Sequence, residues 1–128
     1  MREIKFRGKS YSWHYGDLIH DSCNGRELIF IDNNAERTRH SVDKDTVGQF
    51  TGLLDSARKE IYEGDIVRFE LPPMVLTNEK TAIGVVVYEY GQFLVIIHAM
   101  RFTIFSVIND CTVISNVHDN PELLERML

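Results

Sequence analysis

Residues 46–70 constrain the fold of this 128-residue chain most, because they set glycines among large apolar residues that favour strands. Within them, Gly64-Asp65 separates Ile61-Tyr62-Glu63 from the alternating run at 66–69. Glycine adopts positive φ without a Cβ clash, and an aspartate carboxylate can accept a hydrogen bond from a nearby backbone N–H. We therefore predict a tight turn at Gly64-Asp65 between two strands of one core.

Other glycines point to sharply bent strands. Gly48 and Gly52 flank Phe50, a spacing that indicates a bulge or bend in a strand. Gly16-Asp17 is followed by Leu18-Ile19, as Gly64-Asp65 is by Ile66-Val67, which predicts a second turn of the same kind. Short bent strands favour a mainly β fold, a small barrel or roll of antiparallel strands, over a flat open sheet.

Three segments in the same order carry a family resemblance. The first is TVGQFTGL at 46–53 with EIYEGDIV at 60–67; the second is the opening at 2–7 with YGDLI at 15–19; the third is VISNVHDNPELL at 113–124. The sequence resembles the YopX-like family of phage and prophage proteins from end to end, more weakly over 20–45 and 71–110. The resemblance implies an SH3-like barrel and a mobile-element origin, but no established activity and so no catalytic residues.

The chain departs from that family at one turn. Where the family often has Asn-Gly before Lys-Glu-Ile-Tyr, this sequence has Ala57-Arg58. A two-residue turn with positive φ at both positions is costly for these residues. The hairpin is therefore predicted to have a longer or differently closed loop.

Composition predicts a single domain over residues 1–128, without a membrane span or signal peptide, and so a cytoplasmic protein with reduced cysteines. Apolar residues make up 44% of the chain and charged residues 26%, as in an ordinary globular protein. The net charge of −5 makes nucleic acid an unlikely partner, because non-specific binding depends on basic surface.

Patterning along the rest of the chain predicts strands, loops and one short helix. Trp13 is expected to be a buried or half-buried anchor. Strands are expected at 2–7, 11–19, 26–32, 102–108 and 111–117, a short strand and loop at 35–45, loops at 20–25 and 71–80, a hairpin at 81–98 and a C-terminal helix at 121–128.

The hairpin at 81–98 is apolar on both faces, whereas a strand with one wet face alternates. The second face must be covered by the C-terminal helix, by the 71–80 loop with its apolar residues 74–76, or by another subunit. Because the chain offers little to cover it, we predict a homo-oligomer.

Lys5, Arg7 and Lys9 share one face of the first predicted strand, with Ile4 and Phe6 on the other. This stripe is either a face for nucleic acid or a protein partner, or the solvated side of an edge strand whose lysines discourage pairing. His14, His20 and Cys23 fit no zinc-ligand spacing, so no metal is predicted. The pairs Asp17 with Asp21 and Asp43 with Asp45 are expected to be solvated loop acids.

No phosphate-binding loop or nucleophile motif is present, so no catalytic residue and no cofactor is predicted. Three functions stay open. The favoured one is a non-enzymatic binding or assembly module of phage origin, with an unidentified phage or host protein as partner. The others are a nucleic-acid-binding accessory protein and an enzyme with an unrecognised site.

Overall fold

The computed structural model describes residues 3–71 and 78–126, and it confirms a mainly β chain with antiparallel sheets. The chain forms two compact units, Met1–Gly52 and Leu53–Leu128. Within the described ranges neither strand order closes into a ring, so the predicted barrel is not seen.

The first unit is a sheet in which five consecutive strands are ordered β4-β3-β2-β1-β5. β1 lies between β2 and β5, so the interpretation of residues 2–7 as an edge strand is wrong. The strands are β1 (Phe6–Lys9), β2 (Trp13–Cys23), β3 (Arg26–Asn33), β4 (Thr38–Ser41) and β5 (Asp43–Leu54), whose last two residues enter the second unit.

The turn predicted at Gly16-Asp17 is wrong, because both residues lie inside the continuous strand β2. Gly16 pairs with Phe6 of β1, and Asp17 pairs with Asp32 of β3, so β2 changes neighbour at this step. A Cβ on Gly16 would overlap the backbone carbonyl of Asp32. The glycine is needed here for close approach of two backbones rather than for a turn.

The loop predicted at 20–25 is also wrong, since β2 continues to Cys23 and only Asn24-Gly25 connects it to β3. Both residues have positive φ, 51° and 77°, as a two-residue type I′ hairpin turn requires. Asn-Gly is the strongest short signal for such a turn, and it was present in the sequence.

The second unit holds a sheet ordered β10-β9-β8-β7-β11. The hairpin predicted at 81–98 is confirmed, with Tyr90-Gly91 as its two-residue turn. The elements of the second unit are β6 (Glu60–Tyr62), β7 (Asp65–Glu70), β8 (Thr81–Glu89), β9 (Gln92–Ile97), β10 (Met100–Thr103), α1 (Ile104–Val107), a 3₁₀ helix (Ile108–Asp110), β11 (Thr112–Asn116) and a 3₁₀ helix (Pro121–Arg126).

Both faces of that hairpin are packed within the second unit. One face carries Val86 and Val95 in a cluster with Phe69. The other face carries Val85 and Ile96, against which Val117, Leu123 and Leu124 pack. The chain's own C-terminal segment therefore covers much of the surface that suggested a second subunit.

Two predictions near the C-terminus need correction. The strand expected at 102–108 ends at Thr103, and α1 follows because Ile104 and Val107, one helical turn apart, both insert into the core. The C-terminal helix is a 3₁₀ helix over Pro121–Arg126. Residues 127–128 of that prediction, and the apolar residues 74–76, lie outside the described ranges.

Candidate functional site

The main candidate site is an open groove of about 580 Å³ in the second unit, which we call the arginine groove. Strand pairing and chain reversal assemble it from positions far apart in the sequence. Arg68 on β7 pairs with Ile83 on β8, and the β9–β10 turn brings His98 and Met100 beside them. The described lining residues are Arg68, Leu71, Glu79, Thr81, Ala82, Ile83, Ile97, His98, Met100 and Arg126.

The charged rim of the arginine groove favours an anion. Arg68 and Arg126 are exposed guanidinium groups, and His98 is exposed at the same opening. Within residues 3–71 and 78–126, neither arginine forms an ion pair. Glu79 is the one carboxylate among the described lining residues, so cationic groups predominate.

The half-buried lining residues Leu71, Ile83 and Ile97 are aliphatic, and we call them the floor of the groove, whereas Met100 is exposed. No phenylalanine, tyrosine or tryptophan ring is among its described lining residues. Sequence-tolerant binding of single-stranded nucleic acid uses aromatic rings on which bases stack, so this floor suits aliphatic side chains better than bases. The arrangement can hold an extended ligand with both acidic and aliphatic groups.

The predicted basic stripe lies in the first unit and is not a simple solvated face. Arg7 is only 5% exposed, whereas Ile4, which precedes β1, is 65% exposed, so both residues depart from the burial that alternation predicts. The Arg7 guanidinium stacks 4.6 Å from the Trp13 ring centre, and Lys9 lies 5.8 Å from the same ring. Lys5 lies 5.2 Å from the Phe50 ring. Cation–π contact helps to stabilise these charges on a packed face.

The turn residues Gly64 and Asp65 have structural roles. Gly64 has φ 93°, its N–H donates to the Val86 carbonyl at 2.8 Å, and its carbonyl accepts from the Val117 N–H at 2.9 Å. Asp65 begins β7, and its buried carboxylate accepts a hydrogen bond from the Tyr62 N–H at 2.7 Å.

The remaining candidate residues make separate contacts. His20 pairs with Glu27 at 3.2 Å and Cys23 is exposed, while His14 instead contacts His40. In the described part of the chain, no group of three or more His, Cys, Asp or Glu residues could hold a metal ion.

The predicted carboxylate pairs make local contacts. Asp17 accepts a hydrogen bond from Asn34, Asp21 accepts one from the Ser22 N–H, and Asp43 accepts one from the Asp45 N–H. All four acids are exposed, as predicted, but they lie in the strands β2 and β5 rather than in loops.

The described helices include none long and apolar enough to cross a membrane.

The family-level comparison covers nearly the whole chain. The model of the YopX protein family matches residues 5–125, and the chain therefore belongs to the YopX family. None of the proteins with a curated description matches it. Among solved structures, it is similar to protein EF1440 from Enterococcus faecalis, with a TM-score of 0.57 and 23% identity over 97% of this chain and 99% of that one. At that identity the likeness shows a shared fold.

Proposed function

We propose that this YopX-family protein is a non-enzymatic binding module that takes an acidic, partly aliphatic segment of a partner protein in the arginine groove. The observation that carries the proposal is the juxtaposition of Arg68 and Arg126 above an aliphatic floor, with neither guanidinium in an ion pair among the described residues. Carboxylates on the ligand would supply the missing counter-charges, and its aliphatic side chains would bury the floor.

Chemistry of the groove supports binding rather than catalysis. Besides the two arginines and Glu79, its described polar side chains are those of Thr81 and His98, and no carboxylate orients the imidazole in the described contacts. A general base is held by a second group and lies within hydrogen-bond reach of a nucleophile. A phage or host protein is the partner in this proposal. It also keeps the phage origin and the SH3-like barrel that the family resemblance implies, and the cytoplasmic location predicted from the sequence.

The binding test uses fluorescence anisotropy with a short fluorescein-labelled peptide of alternating glutamate and leucine as the probe. The double variant Arg68→Gln/Arg126→Gln should weaken binding about 10-fold, since each exposed ion pair is worth about 0.7 kcal/mol. Arg26→Gln, an exposed arginine in the first unit, is the matched control and should bind as the wild type does. Equal affinities for the double variant and the control would overturn the proposal.

A second peptide tests whether binding depends on the charge of the ligand or only on its apolar side chains. Replacing every glutamate of the probe with lysine should abolish binding, because Arg68 and Arg126 would then repel the ligand. Binding that is equal for both peptides would mean that the aliphatic floor acts alone and that the arginines are not recognition groups.

Nucleic acid is the second candidate, and the observation behind it is the arrangement of Lys5, Arg7 and Lys9 around Trp13 and Phe50. The burial of Arg7 and the net charge of −5 both oppose it. We expect no tight, salt-sensitive binding to random duplex DNA. Tight binding to DNA whose affinity falls steeply with rising salt would support this function.

Self-association also stays a proposal. The second face of the β8–β9 hairpin is covered by the C-terminal segment, so an interface would use other apolar groups. Tyr90 at the hairpin tip is 94% exposed and Phe105 on α1 is 73% exposed. Light scattering at micromolar concentration tests it, and a mass near 14.8 kDa would reject the oligomer.

A further inference from the structure

His14 on β2 and His40 on β4 stack their imidazole rings, with ring centres 3.7 Å apart and planes 10° from parallel. In the described sheet β4 pairs with β3 alone, where His40 lies opposite Ile31. His14 lies on the part of β2 that pairs with β1, opposite Gly8. The ring stack therefore links the edge strand β4 to a strand with which it shares no backbone pairing.

Few charged groups act on this pair. Glu36, in the turn between β3 and β4, is the carboxylate whose charge raises the pKa of His14. His40 is the neighbouring imidazole, and its charge lowers that pKa. Ser10, in the turn between β1 and β2, makes a hydrogen bond of 3.1 Å with Nε2 of His14. Arg39, next to His40, is directed to Asp32, with 3.7 Å between nitrogen and oxygen.

A small cavity of about 120 Å³ adjoins the stack and is lined by Trp13, Asn33, Glu36 and Thr38 as well as the two histidines and Tyr15. The Thr38 hydroxyl, on β4, is buried and has no hydrogen-bond partner in the described residues. Leaving a buried hydroxyl unsatisfied costs free energy that contact with water would recover. Separation of β4 from β2 would therefore improve the bonding of Thr38.

We propose that the His14–His40 stack is a proton-operated latch that holds the edge strand β4 against β2 and releases it when both imidazoles are protonated. Two imidazolium rings in face-to-face contact repel each other, whereas a neutral ring stacks without that cost. This proposal is independent of the arginine groove.

The direction of the pH dependence follows from the titration of His14. Burial lowers the pKa of His14, and the charge of His40 lowers it further, while Glu36 acts in the opposite direction. The ordinary pKa of the imidazole is 6.5, and the pKa of His14 is lower than this in the closed state. The closed state is therefore fully stabilised above pH 6.5, and this stability is lost as the pH falls. Acidification therefore opens the latch.

Hydrogen exchange of the β4 backbone amides, residues 38–41, tests the latch in the wild-type chain. After correction for the intrinsic rate, protection of these amides should fall at least several-fold between about pH 7.5 and about pH 5. Protection of β8 and β9 should not change over that range. Equal protection of β4 at both pH values would overturn the proposal.

Histidine variants locate the effect. In His40→Asn, the pKa of His14 followed by NMR should rise towards 6.5, and the pH step in β4 protection should disappear. His20→Asn, which removes an exposed imidazole paired with Glu27, is the matched control and should keep the step. If His40→Asn fails to fold, the wild-type NMR titration decides, because two independent imidazole titrations of ordinary pKa would refute the latch.

Discussion

Oδ2 of Asp55 accepts a hydrogen bond from the backbone N–H of Val113 at 2.9 Å, joining residues that are 58 positions apart in the chain. Oδ1 of the same buried carboxylate accepts from the N–H groups of Ala57 and Lys59, each at 2.8 Å. One side chain therefore closes the 55–59 loop and attaches it to β11. These hydrogen bonds hold the longer hairpin loop that the residues Ala57-Arg58 predict.

We expect Asp55→Ala to destabilise the protein by about 3 kcal/mol, because it leaves three backbone donors without their acceptor. Asp55→Asn should cost less, since its amide retains one acceptor oxygen. Asp43→Ala is the matched control, because Asp43 accepts a single hydrogen bond at an exposed site. Urea unfolding measures all three. A wild-type midpoint for Asp55→Ala would show that the loop is held by other contacts.

Gly64→Val should lower the free energy of unfolding by about 2 kcal/mol or more, since a β-branched residue is strained at φ 93°. The strain would also disturb the two backbone hydrogen bonds through which Gly64 contacts Val86 and Val117. Gly25→Val carries similar backbone strain at φ 77°, but it lies at an exposed turn with open space around it, so it should cost less. Thermal melts of both variants test this comparison, and a greater loss for Gly25→Val would contradict it.

Cys111 should be an unreactive thiol in the folded protein. Burial raises its pKa to about 11, and the carboxylates of Asp55 and Asp65 act in the same direction. A thiol reagent at neutral pH should modify exposed Cys23 quickly and Cys111 only after unfolding. Fast modification of two thiols in the native protein would contradict this expectation.

The same raised pKa predicts a loss of stability at high pH. The neutral Cys111 thiol stabilises the fold below its ordinary pKa of 9.0, and that contribution is lost as pH rises towards about 11. The variant Cys111→Ala should lose less stability over this interval than the wild type does. Identical pH profiles would mean that other groups account for the alkaline unfolding.

Local patterns predicted the parts of the fold that local chemistry determines. Apolar runs lie on both sides of Tyr90-Gly91, and this sequence pattern predicts the β8–β9 hairpin. Asn24-Gly25 is an equally strong turn signal, although the polar residues at 20–25 predict a longer loop. By contrast, Ile104 and Val107 are β-branched residues that favour a strand, and only packing into the core makes that segment helical.

The candidate site could not be predicted in the same way. Arg68, His98 and Arg126 come from three separate regions, and no spacing rule relates them before the strands pair. The burial of Arg7 was missed because alternation marks a charged residue as solvent-facing. Its contact with Trp13 depends on the pairing of β1 with β2, which places Lys9 opposite Trp13 and Arg7 opposite Tyr15.

The most direct test of the binding function is to map where the glutamate–leucine peptide binds, by NMR chemical shifts of backbone amides and arginine side chains. We predict that saturating peptide shifts the Nε–H signals of Arg68 and Arg126 and the amides of Ile83, Ile97 and Met100. Signals of Lys5, Arg7 and Lys9 in the first unit should stay in place. Shifts confined to the first unit, or no saturable shift in the arginine groove, would contradict the account.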